Sequence, residues 1–115
     1  MHELSVCQSM LRQVDEIAAR EEAAAVNRIV IRIGPLSGVV PELLQQAFTV
    51  ARAGTKAEQA ELVTEAQSIR IQCLQCGHEC EAQANRLVCG KCGDYRTRLI
   101  SGDELLLASV ELTRQ

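Results

Sequence analysis

The sequence is poor in aromatic residues, and this limits the kinds of ligand it can bind. Among its 115 residues are one phenylalanine, Phe48, one tyrosine, Tyr95, and no tryptophan. Proteins that bind single-stranded nucleic acids stack the bases on several aromatic rings. The formal net charge is −3, and no cluster of basic residues offers a site for a phosphate backbone. The composition therefore argues against a nucleic-acid partner.

Long apolar segments are lacking as well. No stretch approaches the roughly 20 apolar residues that a membrane-spanning helix requires, and acidic side chains interrupt the amino-terminal segment where a signal peptide would be apolar. We therefore expect no membrane partner and a cytoplasmic location, where thiols stay reduced. In that setting, the six cysteines predict a metal site rather than disulfide bonds.

Hydrophobic periodicity predicts two helices and three strands. Apolar residues recur with helical spacing at about 4–25 and again at 41–51. Apolar or alternating segments at 28–33, 61–71 and 105–112 predict strands, the second interrupted by polar residues. We therefore expect an α+β fold, with two helices packed on a small mixed β-sheet.

Between the second and third predicted strands the sequence changes character, because cysteine, glycine and polar residues dominate there. Such a segment holds too few apolar side chains to fold around a core of its own. We predict that residues 71–103 form an inserted, zinc-ribbon-like module with four cysteine ligands. Residues 1–70 and 104–115 would then form the α+β domain.

The inserted segment contains the motif C-x-x-C-G twice, at 73–77 and 89–93. Two residues between the cysteines allow both thiolates to face one ion, and the glycine accepts the unusual backbone angles of the turn. Four thiolates complete a tetrahedral zinc site without an open position. The motifs thus predict a structural Zn²⁺ bound by Cys73, Cys76, Cys89 and Cys92. An iron–sulfur cluster would use the same thiolates, while two disulfides or free thiols are the alternatives without metal.

Three further residues could take part in metal or redox chemistry. We interpret Cys80, a fifth thiol near the first motif, as a small packed residue, with exchange into the zinc site as the alternative. His78 could reach the zinc, but four thiolates suffice, so we predict that it is exposed or supports the ligands. Cys7 lies on the apolar face of the first predicted helix, which indicates a core position. A redox sensor using Cys7 or Cys80 is the corresponding functional alternative.

The amino terminus offers a second metal site. A free amine at Met1, the backbone nitrogen of His2 and its imidazole can chelate one ion in fused rings, and Glu3 adds a nitrogen or a carboxylate. Ni²⁺ and Cu²⁺ prefer such square-planar sets of nitrogen and oxygen donors. The amino end of a helix repels cations, so an anionic donor would be needed there. On spacing alone, a solvated histidine without function is the alternative.

Several segments form a specific combination: MHELSVCQSM, IVIRIGPLSGVVPELLQQAF, the two C-x-x-C-G motifs and ISGDELLLASVEL. Together they resemble the HypA/HybF family over essentially the whole chain. These proteins are nickel metallochaperones of [NiFe]-hydrogenase maturation, and some also serve urease. The resemblance implies transferable Ni²⁺ on His2, Glu3 and Met1, with the structural Zn²⁺ on the four motif cysteines. The chain differs from the family at Cys80, where relatives often carry an aromatic residue, and at Gly90, where proline is common.

The resemblance also implies protein partners. These are a HypB-type maturation GTPase, the hydrogenase large subunit precursor and, for some members, urease accessory proteins. We do not expect an enzyme, because the sequence shows no nucleophile–base pair, phosphate-binding loop or open zinc position. A zinc-ribbon interaction adaptor without transferable metal is the alternative function.

Overall fold

The computed structural model describes residues 2–114 of the chain. Its elements follow in the order α1 (His2–Arg20), β1 (Ala23–Ile33), α2 (Pro41–Ala51), β2 (Glu61–Ala66), β3 (Ile69–Cys73), β4 (Glu79–Ala82), β5 (Thr97–Ser101) and β6 (Leu105–Arg114). The strands form two three-stranded sheets, ordered β2-β1-β6 and β4-β3-β5. The α+β class with two helices is confirmed. None of the helices in the described part is long and apolar enough to cross a membrane.

The described residues divide into two compact units. The first unit comprises residues 2–31, 39–65 and 106–114, and it holds both helices and most of the sheet β2-β1-β6. The second unit comprises residues 32–38 and 66–105, and it holds the sheet β4-β3-β5 and both cysteine motifs. The assignment of nickel to one unit and zinc to the other stays a prediction.

The core of the first unit follows from the apolar stripes of its helices. The buried side chains of α1 recur at intervals of three or four residues, which places them on one face. This face packs against α2, which buries Leu44 and Phe48. The buried residues of α1 are Cys7, Met10, Leu11, Val14 and Ala18.

The predicted extension of the first helix to about residue 25 is wrong. Helix α1 ends at Arg20, and Glu22 adopts a positive φ of 55°, which a continuing helix does not allow. The alanines that follow favour helix by propensity, yet they begin β1 instead. Lys56 holds this segment, since its ammonium donates to the carbonyl of Ala23 and its carbonyl accepts from the amide of Val26, at 2.9 and 3.0 Å.

The single strand predicted at 61–71 is two strands in different sheets. Strands β2 and β3 are separated by Gln67 and Ser68, where the chain leaves one sheet for the other. The amide of Gln67 donates to the carbonyl of Ile33, and the carbonyl of Ser68 accepts from the hydroxyl of Ser101. These bonds satisfy the backbone at the break. The inserted segment therefore has a sheet of its own, which the motifs did not predict.

Candidate metal centres

The two cysteine motifs bring four sulfur atoms together. The Sγ atoms of Cys73, Cys76, Cys89 and Cys92 all lie within 4.8 Å of one another. Two pairs, Cys73–Cys92 and Cys76–Cys89, are each 3.6 Å apart. Sulfurs at the corners of a tetrahedron, each about 2.3 Å from a central zinc, would be about 3.8 Å apart. The four predicted residues thus form a cluster that fits a tetrahedral metal ion.

In the first motif the backbone wraps around a sulfur. The amides of Gln75 and Cys76 both donate to Sγ of Cys73, at 3.4 Å each. The amide of Gly77 donates to the carbonyl of Cys73 at 3.0 Å, and its φ is +77°. Few residues other than glycine adopt this angle without strain, so glycine is required after the second cysteine.

The second motif repeats this geometry. The amides of Lys91 and Cys92 donate to Sγ of Cys89, at 3.3 and 3.4 Å. Gly93, with a φ of +78°, donates its amide to the carbonyl of Cys89 at 2.9 Å. Donated amides favour an ionised sulfur, so each motif prepares its first cysteine for the thiolate form.

The four thiols of the cluster fall into two groups, one with lowered and one with raised pKa values. The pKa values of Cys73 and Cys89 are lowered, chiefly by the amides of Cys76 and Cys92 respectively, and that of Cys89 falls to about 6. The amide of Asp94 lowers the pKa of Cys92, but the neighbouring sulfur of Cys73 and desolvation outweigh it and raise the value to about 12.

Cys76 follows the pattern of Cys92. The amide of His78 lowers its pKa, but desolvation and the sulfurs of Cys89 and Cys73 produce a net increase. Four sulfurs at this spacing repel one another as thiolates, so the protein alone favours only partial ionisation. A divalent cation would remove that repulsion. The donor set therefore suits a metal ion that prefers thiolates, such as Zn²⁺.

His78 and Cys80 lie outside the four-sulfur cluster. The side chain of His78 is exposed, as predicted, and its carbonyl accepts from the amide of Cys73 at 2.9 Å. Cys80 is half-buried on β4, and its sulfur accepts from the amide of Gly90 at 3.4 Å. A larger residue in place of Gly90 would approach this sulfur, since a Cβ there lies 3.7 Å away.

Cys7 is a core residue, as the apolar stripe predicts. Its exposure is 0%, and burial raises the pKa of its thiol to about 11. Thiolates are the reactive form of cysteine, so this environment opposes a redox role for Cys7.

At the amino terminus, the structure describes two of the three predicted nickel ligands. Met1 lies outside the described residues. His2 is the first residue of α1 and is exposed, and its carbonyl accepts from the hydroxyl of Ser5 at 3.0 Å. The carboxylate of Glu3 accepts from the amide of Val40 at 3.2 Å, and this bond is the largest cause of its lowered pKa.

The sequence matches a known family over nearly all of its length. The protein-family model described as "HypA: Hydrogenase/urease nickel incorporation, metallochaperone, hypA" matches residues 1–112. The chain belongs to the HypA family. The resemblance noted in the sequence is thereby confirmed. HypA proteins are nickel metallochaperones of hydrogenase maturation, so the family acts as a metal carrier within that machinery.

Similar proteins support this assignment. The "Hydrogenase maturation factor HypA" of Aquifex aeolicus is 42% identical over 112 residues, with 97% of each chain covered. That of Nitrosospira multiformis is 45% identical over the same length and coverage. The "Solution structure of the Ni metallochaperone HypA from Helicobacter pylori" matches with a TM-score of 0.72, 27% identity and 98% coverage of both chains.

One contact near the amino terminus was not predicted from the sequence. The sequence offered Glu3 as a nickel ligand through a nitrogen or a carboxylate, yet the carboxylate already bonds Val40. The available signal was Pro41, which marks the start of α2 and hence a set of free amides that attract an anion. Nothing in the local sequence identifies which of the acidic residues approaches them.

Proposed function

We propose that the chain binds Ni²⁺ at its amino terminus and delivers it for [NiFe]-hydrogenase maturation, while Zn²⁺ on the four clustered cysteines serves a structural role. The observation that carries the proposal is the exposed position of His2 at the first residue of α1, in a chain of the HypA family. An imidazole there is accessible to an ion from solvent and to the ligands of an acceptor protein.

The start of α1 supplies backbone donors next to His2. The first amides of an α-helix have no carbonyl partner within the helix, and this applies to His2 and Glu3. A metal such as Ni²⁺ can displace an amide proton and bind the resulting anionic nitrogen. That negative charge also offsets the repulsion between a cation and the positive end of the helix. The Met1 amine would complete the nickel set.

The hydrogen bond from Val40 limits the ways in which Glu3 can bind nickel. One carboxylate oxygen of Glu3 is engaged with Val40, and the lowered pKa keeps that carboxylate charged at neutral pH. This arrangement favours the backbone nitrogen of Glu3 as the nickel donor, with its side chain fixing the position of the terminus. For its carboxylate to bind nickel, Glu3 would have to use the other oxygen or give up the hydrogen bond from Val40.

The four-sulfur cluster suits a permanent ion. Cys73, Cys76, Cys89 and Cys92 would fill all four positions of a tetrahedral Zn²⁺ and leave none for a substrate. Zinc held there supplies cross-links between the two motifs and thereby stabilises the second unit. Because the sheet of the second unit is small, the zinc link contributes much of that unit's folding free energy.

The proposed nickel site has few donors and is exposed, which suits transfer of the ion to another protein. An acceptor can replace the donors of the terminus one at a time, so the ion need not pass through a free aqueous state. The proposed acceptor is the hydrogenase large subunit precursor, with a HypB-type maturation GTPase as partner in delivery. The family description also names urease, so urease accessory proteins are further proposed partners.

The proposal is tested by titrating Ni²⁺ into zinc-loaded protein that begins with an authentic Met1, followed by calorimetry. Three variants run in parallel: His2→Ala, Glu3→Gln and a chain extended before Met1. We expect one nickel ion per chain, lost in His2→Ala and in the extended chain. Glu3→Gln should retain nickel, because its backbone nitrogen remains.

Other outcomes would separate the alternatives. Nickel bound equally by the His2→Ala and extended chains would place the site away from the terminus. Complete absence of nickel binding, with zinc retained, would leave the interaction adaptor as the function. Loss of nickel in Glu3→Gln as well as in His2→Ala would show that the carboxylate is required, and would overturn the view that the backbone nitrogen of Glu3 suffices.

A further inference from the structure

One face of the sheet β4-β3-β5 is open to solvent next to an edge strand. On β3, Ile71 and Cys73 are buried, so Gln72 between them points to the opposite face. Leu74 directly follows β3, and its amide bonds the carbonyl of Arg96 on the chain leading into β5. Leu74 is 61% exposed. The face therefore lies away from the buried side of the second unit.

Strand β5 extends this face with a basic and an apolar side chain. Arg98 pairs with Gln72 in the ladder, and its guanidinium donates to the side-chain oxygen of Gln72 at 2.6 Å. Ile100, two residues along the strand, is 41% exposed. It is the extra residue at an irregularity of the ladder, between Leu99, which pairs with Ile71, and Ser101, which pairs with Arg70. We call Leu74, Arg98 and Ile100 the β5 face.

Among residues 2–114, β3 is the only strand that pairs with β5. The hydroxyl of Thr97 also donates to the carbonyl of Leu87, at 3.1 Å. The amide of Leu74 donates to the carbonyl of Arg96, so Arg96 directs its backbone towards β3. In an antiparallel ladder alternate residues share this direction. Thr97 and Leu99 therefore direct their amides and carbonyls outward, where no backbone group within residues 2–114 bonds them.

Charge on the β5 face is unbalanced. Arg96, the neighbouring cation, is paired with Asp94 at 2.9 Å. Arg98, in contrast, bonds an uncharged amide and forms no ion pair with any of the residues that the structure describes. The chain as a whole is acidic. An unpaired cation between exposed apolar side chains on an edge strand offers a specific partner for a carboxylate.

From these features we infer that the β5 edge binds an extended acidic segment of a partner protein, which adds as a fourth strand. Its backbone bonds Thr97 and Leu99, as in other cases of strand addition. On the outer face, an acidic side chain lies beside Arg98, and an apolar side chain lies beside Ile100. The site is independent of the amino-terminal nickel proposal, since it uses only residues of the second unit.

A simpler interpretation of the same residues is protective. Charged side chains on edge strands prevent unwanted strand pairing, and Arg98 could act only in this way. The two interpretations differ in what they predict for charge. A protective arginine discourages every added strand, whereas a recognition arginine selects an acidic one.

The test uses zinc-loaded full-length protein labelled for amide NMR. The probe is a blocked, threonine-rich peptide in which valine, glutamate and valine occupy alternate positions. Control peptides carry lysine in place of glutamate, or N-methyl groups on the amides of one edge. The protein variants are Arg98→Glu and, as a matched control, Arg86→Glu, an exposed arginine outside strands β3, β4 and β5.

We expect the glutamate peptide to shift the amide signals of residues 97–100 and to slow hydrogen exchange at Leu99. Arg98→Glu should weaken this binding about tenfold and reverse the preference towards the lysine peptide. Arg86→Glu should bind as the wild type does, and N-methylation should abolish binding. Equal binding of both peptides to the wild type, binding mapped elsewhere, or no binding would overturn the proposal, and the last of these outcomes is the one that a protective role of Arg98 predicts.

Discussion

The carboxylate of Glu3 accepts a hydrogen bond from the backbone amide of Val40, at 3.2 Å. Val40 directly precedes Pro41, the first residue of α2. The bond therefore joins the beginnings of the two helices of the first unit, beside the exposed His2. An anion at the amino end of α2 also interacts favourably with the helix dipole. The residue that follows His2 thus links the start of α1 to the start of α2.

The Glu3–Val40 bond predicts a specific dependence of stability on pH. The bond lowers the pKa of Glu3 below its ordinary value of 4.5, so the carboxylate contributes stability above pH 4.5 and loses it as the pH falls through the lowered pKa. Glu3→Gln should therefore be less stable than the wild type at neutral pH, with the difference shrinking on acidification. Urea unfolding at several pH values measures this.

The matched control for this prediction is Glu16→Gln, an exposed glutamate on α1. Its substitution should change stability little at any pH. A stability difference between Glu3→Gln and the wild type that persists unchanged at acidic pH would contradict the proposed role of the carboxylate.

Removal of one cluster cysteine should unfold the second unit. Cys73→Ser leaves an incomplete donor set, and the free energy of structural zinc binding, on the order of 10 kcal/mol, exceeds the stability of a small unit. We expect zinc content to fall and amide signals from 66–105 to lose dispersion. Cys80→Ser, which changes the thiol outside the cluster, should retain one zinc per chain. Zinc loss in both variants would make Cys80 a ligand.

The thiols should differ in reactivity according to their burial. In zinc-loaded protein, alkylation at mildly alkaline pH should modify half-buried Cys80 well before Cys7, whose pKa is raised to about 11 by burial. Mass spectrometry of peptides over time measures the order of modification.

Cys7→Ser should lower the free energy of unfolding by about 1–3 kcal/mol, because a hydroxyl would be buried among apolar side chains. Rapid native-state alkylation of Cys7 would refute its core position.

Gly34 should tolerate no side chain. A Cβ at this position would lie 2.2 Å from the carbonyl oxygen of Gly102, whereas one at Gly90 would meet only Sγ of Cys80, at 3.7 Å. Gly34→Ala should therefore lower the free energy of unfolding by about 1–3 kcal/mol, and Gly90→Ala by less than about 0.5 kcal/mol. Chemical denaturation of zinc-loaded protein compares them. Equal stability of the two variants would contradict the close approach.

The features that were predictable from the sequence are those with local causes. The apolar spacing from Cys7 to Val14 identifies the buried face of α1, because helical periodicity depends only on nearby residues. The four-sulfur cluster was predictable for the same reason, since each C-x-x-C-G motif builds its own turn. Only the pairing of the two motifs is long-range, and the number of thiolates that a tetrahedral ion requires indicates it.

The features that were missed depend on distant partners. The alanines after Glu22 favour helix locally, and the backbone contacts with Lys56 that hold them in an extended conformation come from far along the chain. Strand β3 follows β2 so closely that one strand was expected, although the two belong to different sheets. The Glu3–Val40 bond spans 37 positions of sequence. No periodic pattern encodes such contacts.

The two cysteines of each motif differ in their exposure to solvent. The first, Cys73 or Cys89, is 2% exposed, while the second, Cys76 or Cys92, is open to solvent. Electrophiles and oxidants would therefore reach the outer sulfurs first, and damage to the site would begin with them. Because the second unit depends on its metal ion, loss of the outer pair alone would release the ion and unfold the turns around the inner sulfurs.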